Sequence, residues 1–382
     1  MGTMRWAMIW HQATSGSFLK GKAFGWNKTA VFTIPVPVSG EQLRIRFRNR
    51  HGSEAYEIGA MRVFTSGRSA EVTFRGEQRF SIPTGGVTIS DAVALPVKRG
   101  EELQLRLYYT NAIPDSNMIE EQANLLPGNQ TEHEENEPMR KPLLAKLLGS
   151  YNAIPAIEAV EVLTEEPAKA IVAFGDSITA LSRWTKPLSA RLAQAYPGEY
   201  VLLNSGISGN CLLYEPEGIF GPAFGEKGLT RFARDVLGIP NLNAVILGLG
   251  VNDVAYLSEK TADRINREAF ALAVSSITDQ LHRRGVRVVM QTITPRLGVA
   301  RTLGKYGQDM ETLRLQLNEW IRSAGIFDYV FDAEAVVREE RPDGYYFKTG
   351  LHQGDYLHPN ALGGQKLAEA FDLNLLTGRE KA

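Results

Sequence analysis

The sequence predicts an α/β protein of two domains, an N-terminal β-sandwich of jelly-roll type followed by a three-layer α/β/α domain on a parallel sheet. Three observations carry this. At 382 residues the chain exceeds one typical core, since domains average roughly 150 residues. Several stretches of its first 165 residues alternate apolar and polar positions with period two between glycine turns, the pattern of sheets with one wet face. From Ala168 the pattern changes to apolar runs without alternation, separated by amphipathic stretches, as expected of strands buried on both faces and the helices that cover them.

The start, Met1-Gly-Thr-Met-Arg-Trp-Ala-Met-Ile-Trp10, runs into His11-Gln12 and has neither the apolar core nor the small-residue cleavage pattern of a secretion signal. Strands are expected at Ala30-Val-Phe-Thr-Ile-Pro-Val-Pro-Val38, Gln42-Leu-Arg-Ile-Arg-Phe-Arg48, Ala70-Glu-Val-Thr-Phe74 and Gln104-Leu-Arg-Leu-Tyr-Tyr109. Ser39-Gly40, Ser66-Gly67, Thr84-Gly-Gly86 and Arg99-Gly100 supply the turns between them. Between about 111 and 151 the periodicity fails. The run Glu132-His-Glu-Glu-Asn-Glu-Pro138 reads as a solvated loop. Leu125-Leu126 and Leu143-Leu-Ala-Lys-Leu-Leu148 gain from burial, so the segment is expected to pack against the second domain, narrowing a cleft there, or against a second copy in a homo-oligomer. Ala156-Ile-Glu-Ala-Val-Glu-Val-Leu163 returns as the last strand. Glu165-Glu-Pro167 then marks the boundary, giving domains 1–165 and 166–382.

In the second domain, strands are expected at about 170–175, 200–204, 244–250, 287–292 and 328–332, and helices at 186–196, 262–284, 309–324 and 361–371. In such a fold the ligand site lies at the carboxyl ends of the strands.

Composition excludes several classes. The formal net charge is −1 and no long Lys/Arg cluster occurs, which argues against nucleic acid. No apolar run approaches a membrane span. Cys211 is the only cysteine, so no intrachain disulfide can form; with no secretion signal, the expected location is the cytoplasm.

The strongest chemical signals follow strands. Ile171-Val-Ala-Phe-Gly-Asp-Ser-Ile-Thr179 presents Ser177 at a strand-to-helix turn, either as a nucleophile or as a helix N-cap. Asn204-Ser-Gly-Ile-Ser-Gly-Asn210 and Gly248-Leu-Gly-Val-Asn-Asp253 follow the next strands; their glycines could serve a tight turn and Asn252-Asp253 an Asx turn. Asp355-Tyr-Leu-His358 holds a carboxylate and an imidazole three residues apart, as a catalytic or a structural pair. His352, Asp355 and His358 could also ligate a hydrolytic metal, although that reading leaves Ser177, Gly209 and Asn252 without a role. His11, His51, His133 and His282 have no companion groups in the sequence and read as surface or core residues. Cys211 reads as buried packing, and Arg231 with Asp235 as a salt bridge one helical turn apart.

Taken together, Gly175-Asp-Ser-Ile-Thr179, Gly209, Asn252 and Asp355-x-x-His358 resemble the four blocks of the SGNH/GDSL hydrolase family, in order, across residues 168–382. Asn204-Ser-Gly-Ile-Ser-Gly-Asn-Cys-Leu-Leu213, with Arg231-Phe-Ala-Arg-Asp-Val-Leu237, resembles the subgroup with an N-terminal β-domain, to which Arg44-Ile-Arg-Phe-Arg-Asn-Arg-His-Gly-Ser53 is similar. Ala180-Leu181 departs from it, where many relatives carry an acidic residue and glycine. The resemblance implies a flavodoxin-like sheet, Ser177 as nucleophile, His358 as base and Asp355 as its orienting carboxylate. It also implies an oxyanion hole from the Ser177 and Gly209 N–H groups and the Asn252 amide, with no metal or organic cofactor. The expected activity is hydrolysis of a small-molecule or carbohydrate ester, first a carbohydrate O-acetylesterase. The alternatives are a general short-chain carboxylesterase or lysophospholipase, or a carbohydrate-binding protein with an inert hydrolase domain.

Overall fold

The computed structural model describes residues 3–16, 27–111, 124–132, 157–218, 221–301 and 307–380. The chain divides into two compact units. One is Met1–Ala168 with Tyr196–Val201 and Glu217–Ala223; the other is Lys169–Ala195, Leu202–Pro216 and Phe224–Ala382.

The first unit contributes β1 (Arg5–His11), β2 (Lys28–Pro35), β3 (Gln42–Arg48), β4 (Tyr56–Thr65), β5 (Arg68–Glu71), β6 (Phe80–Ile82), β7 (Val87–Ile89), β8 (Glu102–Tyr109), β9 (Asn124–Pro127) and β10 (Ile157–Thr164). They form two sheets, ordered β1-β10-β3-β7 and β5-β4-β8-β2-β9 with β6 on β4, and the pairings are antiparallel. Side chains alternate across a strand, so Leu43, Ile45 and Phe47 of β3 all face the core. Phe47 meets Phe80 of the opposite sheet edge to face at 5.4 Å, and Trp10 meets Phe32 at 5.7 Å. The arginines between those apolar positions of β3 lie over acidic residues of β10: Arg44 and Arg46 on Glu161, Arg48 on Glu158. This is the expected sandwich.

Three strands escape the period-two pattern. In β4 the register shifts between Ile58 and Ala60, so the buried side chains run Tyr56, Ile58 and then Met61, Val63, and the bulge resets the alternation. Gly59 sits at the shift, where a Cβ would fall 2.6 Å from Thr110. In β1 Ala7, Met8 and Ile9 are all buried beside a register shift between Met8 and Trp10. Within the stretch read as a loop, β9 pairs with β2; Leu143–Leu148 and most of the acidic run lie outside the described residues. The strand expected at Ala70–Phe74 ends at Glu71, and Phe74 makes only an isolated bridge to Glu77.

The second unit carries β11 (Lys169–Gly175), β12 (Tyr200–Gly206, whose first two residues count with the first unit), β13 (Leu242–Gly248), β14 (Arg287–Gln291) and β15 (Tyr329–Phe331) in one sheet, ordered β12-β11-β13-β14-β15. β11 pairs with β13, β13 with β14 and β14 with β15, all in parallel. Ala244, Val245, Ile246 and Leu247 are all buried, as strands covered on both faces require. Strand order reverses beside β11, the position at which ligands bind in such sheets. The helices are α1 (Ser177–Ala180), α2 (Thr185–Ala195), α3 (Gly228–Phe232), α4 (Val251–Ala255), α5 (Arg267–His282), α6 (Gln308–Ser323), α7 (Ala333–Val337), α8 (Ala361–Ala370) and α9 (Leu373–Thr377); β16 (Arg338–Arg341) and β17 (Gly344–Phe347) form a hairpin. Helix α5 starts later than the hydrophobic period suggests, because Asn266 caps it by accepting from the Ala269 N–H at 2.8 Å. Among the described residues no helix is long and apolar enough to cross a membrane.

A buried ion network fixes α6 and α7 under the end of β14. Arg314 is fully buried, donates to Glu311 at 2.5 and 2.9 Å and to the Ile293 carbonyl at 3.0 Å, and pairs with Glu334. Asn318 clamps the same residue, accepting from the Ile293 N–H at 2.7 Å and donating to its carbonyl at 2.8 Å. Removing one member of such a network strands buried charge. Arg314→Met is therefore expected to lower the unfolding free energy by about 3–5 kcal/mol, measured by urea titration; a change below about 1 kcal/mol would show that the network contributes little.

Candidate active site

Strand β11 is apolar and buried up to Gly175, and the chain then turns into α1. Asp176, with extended φ and ψ of −102° and −150°, caps that helix by accepting from the Ile178 N–H at 3.0 Å. Capping thus falls to Asp176 and not to Ser177. The Ser177 hydroxyl instead lies 2.8 Å from His358 Nε2. On the other side of the ring, His358 Nδ1 lies 2.6 Å from Asp355 Oδ2. A carboxylate only accepts, so Nδ1 carries the proton and Nε2 accepts from the serine.

The loop that brings Asp355 and His358 back is held locally. Asp355 Oδ1 accepts from the N–H groups of Leu357 and His358, both at 3.0 Å. Burial opposes ionisation of this carboxyl, but the His358 ring and these two N–H donors outweigh it and hold the pKa at about 2. Tyr356, between them, takes a left-handed φ of 59°, strain that a surrounding framework must impose. His352 supplies part of it: its Nδ1 accepts from the N–H groups of Gly354 and Tyr356 at 3.0 and 3.1 Å, and its ring stacks on Tyr356 at 4.3 Å. Burial moves the His352 pKa below its ordinary value, which suits a ring that must accept. The Nδ1 atom of His352 is thus taken up by backbone donors. Among the described residues no group of three His, Cys, Asp or Glu side chains could hold a metal ion.

Gly209 and Asn252 belong to a second linked group. Gly209 has φ of 76°, and a Cβ there would fall 2.0 Å from the Phe224 ring, so the loop requires glycine. Asn252 is buried on α4 and donates one amide hydrogen to the Asn210 carbonyl at 3.0 Å; the amide has a second hydrogen. Its neighbour Asp253 accepts from the N–H groups of Leu212 and Leu213 at 2.8 and 2.7 Å. Burial lifts the Asp253 pKa to about 6 against those donors, and lifts that of Asp176 to about 7 against the Ile178 N–H. The two groups meet at the Gly175 carbonyl, which accepts from the Ile207 N–H at 3.1 Å.

Other sequence readings resolve as follows. Arg231 and Asp235 pair at 3.2 Å, as expected. Cys211 is buried, its Sγ 3.9 Å from the Gly209 carbonyl, and burial first, then Asp253 and Asp176, raise its thiol pKa well above the ordinary value, so it carries no thiolate. The histidines do have companions: His282 lies 2.9 Å from Asp328, His11 Nδ1 3.2 Å from the Glu158 carbonyl and His51 3.2 Å from the Thr14 carbonyl; His133 is outside the described residues. The clamps made by His352, Asn210 and Asp253 are not legible in the sequence; the signal available there is position, Asn210 and Asp253 directly after a block residue and His352 three before Asp355.

A profile of the GDSL-like Lipase/Acylhydrolase family matches residues 173–366, and the chain belongs to that family. Membership supports a hydrolase. Comparison with curated proteins gives no match. Among solved structures, the acetyl xylan esterase Axe2 from Geobacillus stearothermophilus is similar at 16% identity and a TM-score of 0.40, over 55% of this chain and 96% of that one. LAE5, an alpha/beta hydrolase enzyme from the metagenome of Lake Arreo, Spain, is similar at 18% identity and a TM-score of 0.40, over 57% and 98%. At such scores neither bears on substrate.

The displaced carboxyls give opposite pH signatures. Asp355, lowered to about 2, adds stability that is present above its unfolded value near 3.8 and is lost as pH falls towards 2. Asp176, raised to about 7, keeps a proton that the unfolded chain releases, so it subtracts stability progressively between about pH 4 and 7. Urea unfolding across pH should therefore show Asp355→Asn less stable than wild type at neutral pH, with the gap closing in acid. Asp176→Asn, which can still cap, should gain on wild type as pH rises from about 4 to 7. Parallel pH curves for all three proteins would refute these assignments.

Proposed function

We propose that this chain is a serine esterase that hydrolyses short acyl esters through an acyl-enzyme, and that its substrate is an O-acetylated carbohydrate. The observation that carries the first part is the continuous run from Ser177 Oγ to His358 Nε2 and from His358 Nδ1 to Asp355, at 2.8 and 2.6 Å. A serine hydroxyl attacks an ester carbonyl only if a base takes its proton, and the geometry puts one within reach. Asp355, ionised at neutral pH, holds the ring in the accepting tautomer and stabilises the imidazolium. His358 then returns the proton to the leaving alcohol, and water repeats the sequence on the acyl-enzyme. The Ser177 and Gly209 N–H groups with the Asn252 amide are the oxyanion donors in this reading.

The carbohydrate part has separate support. Tyr214 and Tyr256, both half-buried, place their rings 5.1 Å apart. Tyr256 follows Asn252 by one helical turn, and Tyr214 follows the Leu212-Leu213 pair that Asp253 anchors. The C–H face of a pyranose packs against such rings, while an acetyl group needs only a small cavity beside the serine.

Ser177→Ala should reduce kcat on nitrophenyl acetate by about 10⁴-fold or more with the melting temperature unchanged. A fluorophosphonate should label Ser177 in the wild type, and exhaustive chelation should leave activity intact. Residual turnover above about a hundredth of wild type, or activity lost on chelation and restored by zinc, would overturn the serine mechanism. A panel of nitrophenyl esters of rising chain length beside acetylated xylo-oligosaccharides tests the substrate. Preference for long acyl chains or for lysophospholipid would overturn the carbohydrate reading.

A further inference from the structure

Arg231 does more than pair with Asp235. It is fully buried on α3, just ahead of a π-helical turn at Ala233–Leu237 that carries Asp235. Its Nε donates to Asn210 Oδ1 at 2.9 Å, Nη1 to the Ser205 carbonyl at 2.8 Å and to Asp235 at 3.2 Å, and Nη2 to the Gly175 carbonyl at 2.9 Å. Its guanidinium lies 4.1 Å above the centre of the Phe174 ring. The salt bridge alone would leave most of the buried guanidinium N–H groups unpaired, and three further acceptors take them up. Each of those acceptors belongs to a segment of the candidate site.

Gly175 is two residues before Ser177, at the end of β11. Ser205 is near the end of β12, which runs into the Gly209 loop. Asn210 follows Gly209 directly, and its own carbonyl holds the Asn252 amide at 3.0 Å. The rest of the Asn210 amide is also committed, donating to the carbonyls of Phe224 and Glu226 at 2.7 and 2.8 Å. One rigid, planar cation therefore ties the strand end before Ser177 to the segment that carries Gly209, and the Asn210 carbonyl extends that tie to the Asn252 amide. Lysine has the charge but not the fork, and it could not satisfy acceptors in three directions. Burial depresses the Arg231 pKa to about 10, with Asp235 opposing the fall, so the cation is present throughout the working range.

We infer that Arg231 is the positioning residue of the oxyanion hole: through Gly175, Ser205 and Asn210 it fixes the spacing of the Ser177 N–H, the Gly209 N–H and the Asn252 amide. The inference rests on the esterase reading above. It differs from a purely structural role in what it changes. A brace that only holds the fold alters how much protein is folded, whereas a misplaced oxyanion donor weakens the transition state and leaves ester binding almost untouched.

The test uses the full chain carrying Arg231→Lys and, separately, Asn210→Ser, which removes the acceptor together with the amide's bonds to Phe224 and Glu226 while leaving the arginine in place. Kinetics on nitrophenyl acetate are normalised to the folded fraction from near-ultraviolet circular dichroism. Inhibition by a trifluoromethyl ketone, whose serine adduct places an oxyanion on the donors, is measured alongside. Expected is a fall in kcat of about a hundredfold per folded molecule, KM within about threefold of wild type, and a rise in the inhibitor's Ki that tracks kcat. Arg231→Lys is expected to be the less stable of the two; if it yields no folded protein, Asn210→Ser decides. Wild-type kcat per folded molecule, or KM and Ki rising together, would overturn the inference. A wild-type chain that hydrolyses no ester and takes no label at Ser177 would instead overturn the esterase reading, and this inference with it.

Discussion

A hydrogen bond of 2.8 Å joins two residues 181 positions apart, Ser177 and His358, and the candidate site depends on that contact being made without a search. The serine side is rigid at no special cost, because it stands at the end of a buried central strand. The histidine side comes from a loop, and a loop loses conformational entropy when it is fixed. The sequence around His358 meets that cost locally. Asp355 binds two backbone N–H groups within the same turn, His352 binds two more, and the ring stack of His352 on Tyr356 holds the one residue whose φ is strained. Four backbone donors are satisfied by two side chains, so the turn keeps its shape before it meets the serine.

Charge distribution follows the same logic. Three carboxyls crowd the carboxyl ends of β11 and β13 and the returning loop, yet their environments drive them apart. Asp355 is held near 2 because hydrogen bonds outweigh burial; Asp253 and Asp176 rise to about 6 and 7 because burial outweighs their hydrogen bonds. Separated pKa values among neighbouring acids are how a site assigns roles to like residues. Only Asp355 is fully ionised beside the imidazole at neutral pH. The partly protonated Asp176 adds less negative charge beside the serine than an ionised carboxylate would.

The sequence was legible where a residue type and its spacing carried the information. Unalternating apolar runs marked all five strands of the parallel sheet to within two residues, since burial on both faces leaves a compositional trace. Ser177, Gly209, Asn252, Asp355 and His358 stand out in the sequence by residue type and spacing; the structure brings Ser177, His358 and Asp355 within hydrogen-bond reach and holds Asn252 on the residue after Gly209. What could not be read was structure encoded in main-chain atoms or in register. The bulge in β4 shifts the phase of its alternation and hides a ten-residue strand, and β9 pairs through a stretch whose surroundings look like loop. In the sequence Arg231 reads as half of a salt bridge because Asp235 stands four residues on. Its bonds to the Gly175 and Ser205 carbonyls are not visible, since every residue has a carbonyl.

That asymmetry has a physical basis. Donors that stabilise an oxyanion are effective only if they do not have to reorganise when charge develops, so their backbone segments must already be fixed in the resting protein. Main-chain carbonyls at strand ends point out of the ladder and are natural handles for doing so. Binding several of them at once calls for a donor that is charged, planar and multidirectional, and arginine alone among side chains meets all three conditions. Burying such a cation carries a large desolvation penalty, which Asp235, three oxygen acceptors outside that pair and the face of Phe174 offset together. Any one of these partners would be too little for a cation this deep. Each added acceptor lowers the penalty and ties down another loop, so the same contacts that let the charge be buried also hold the donor segments still.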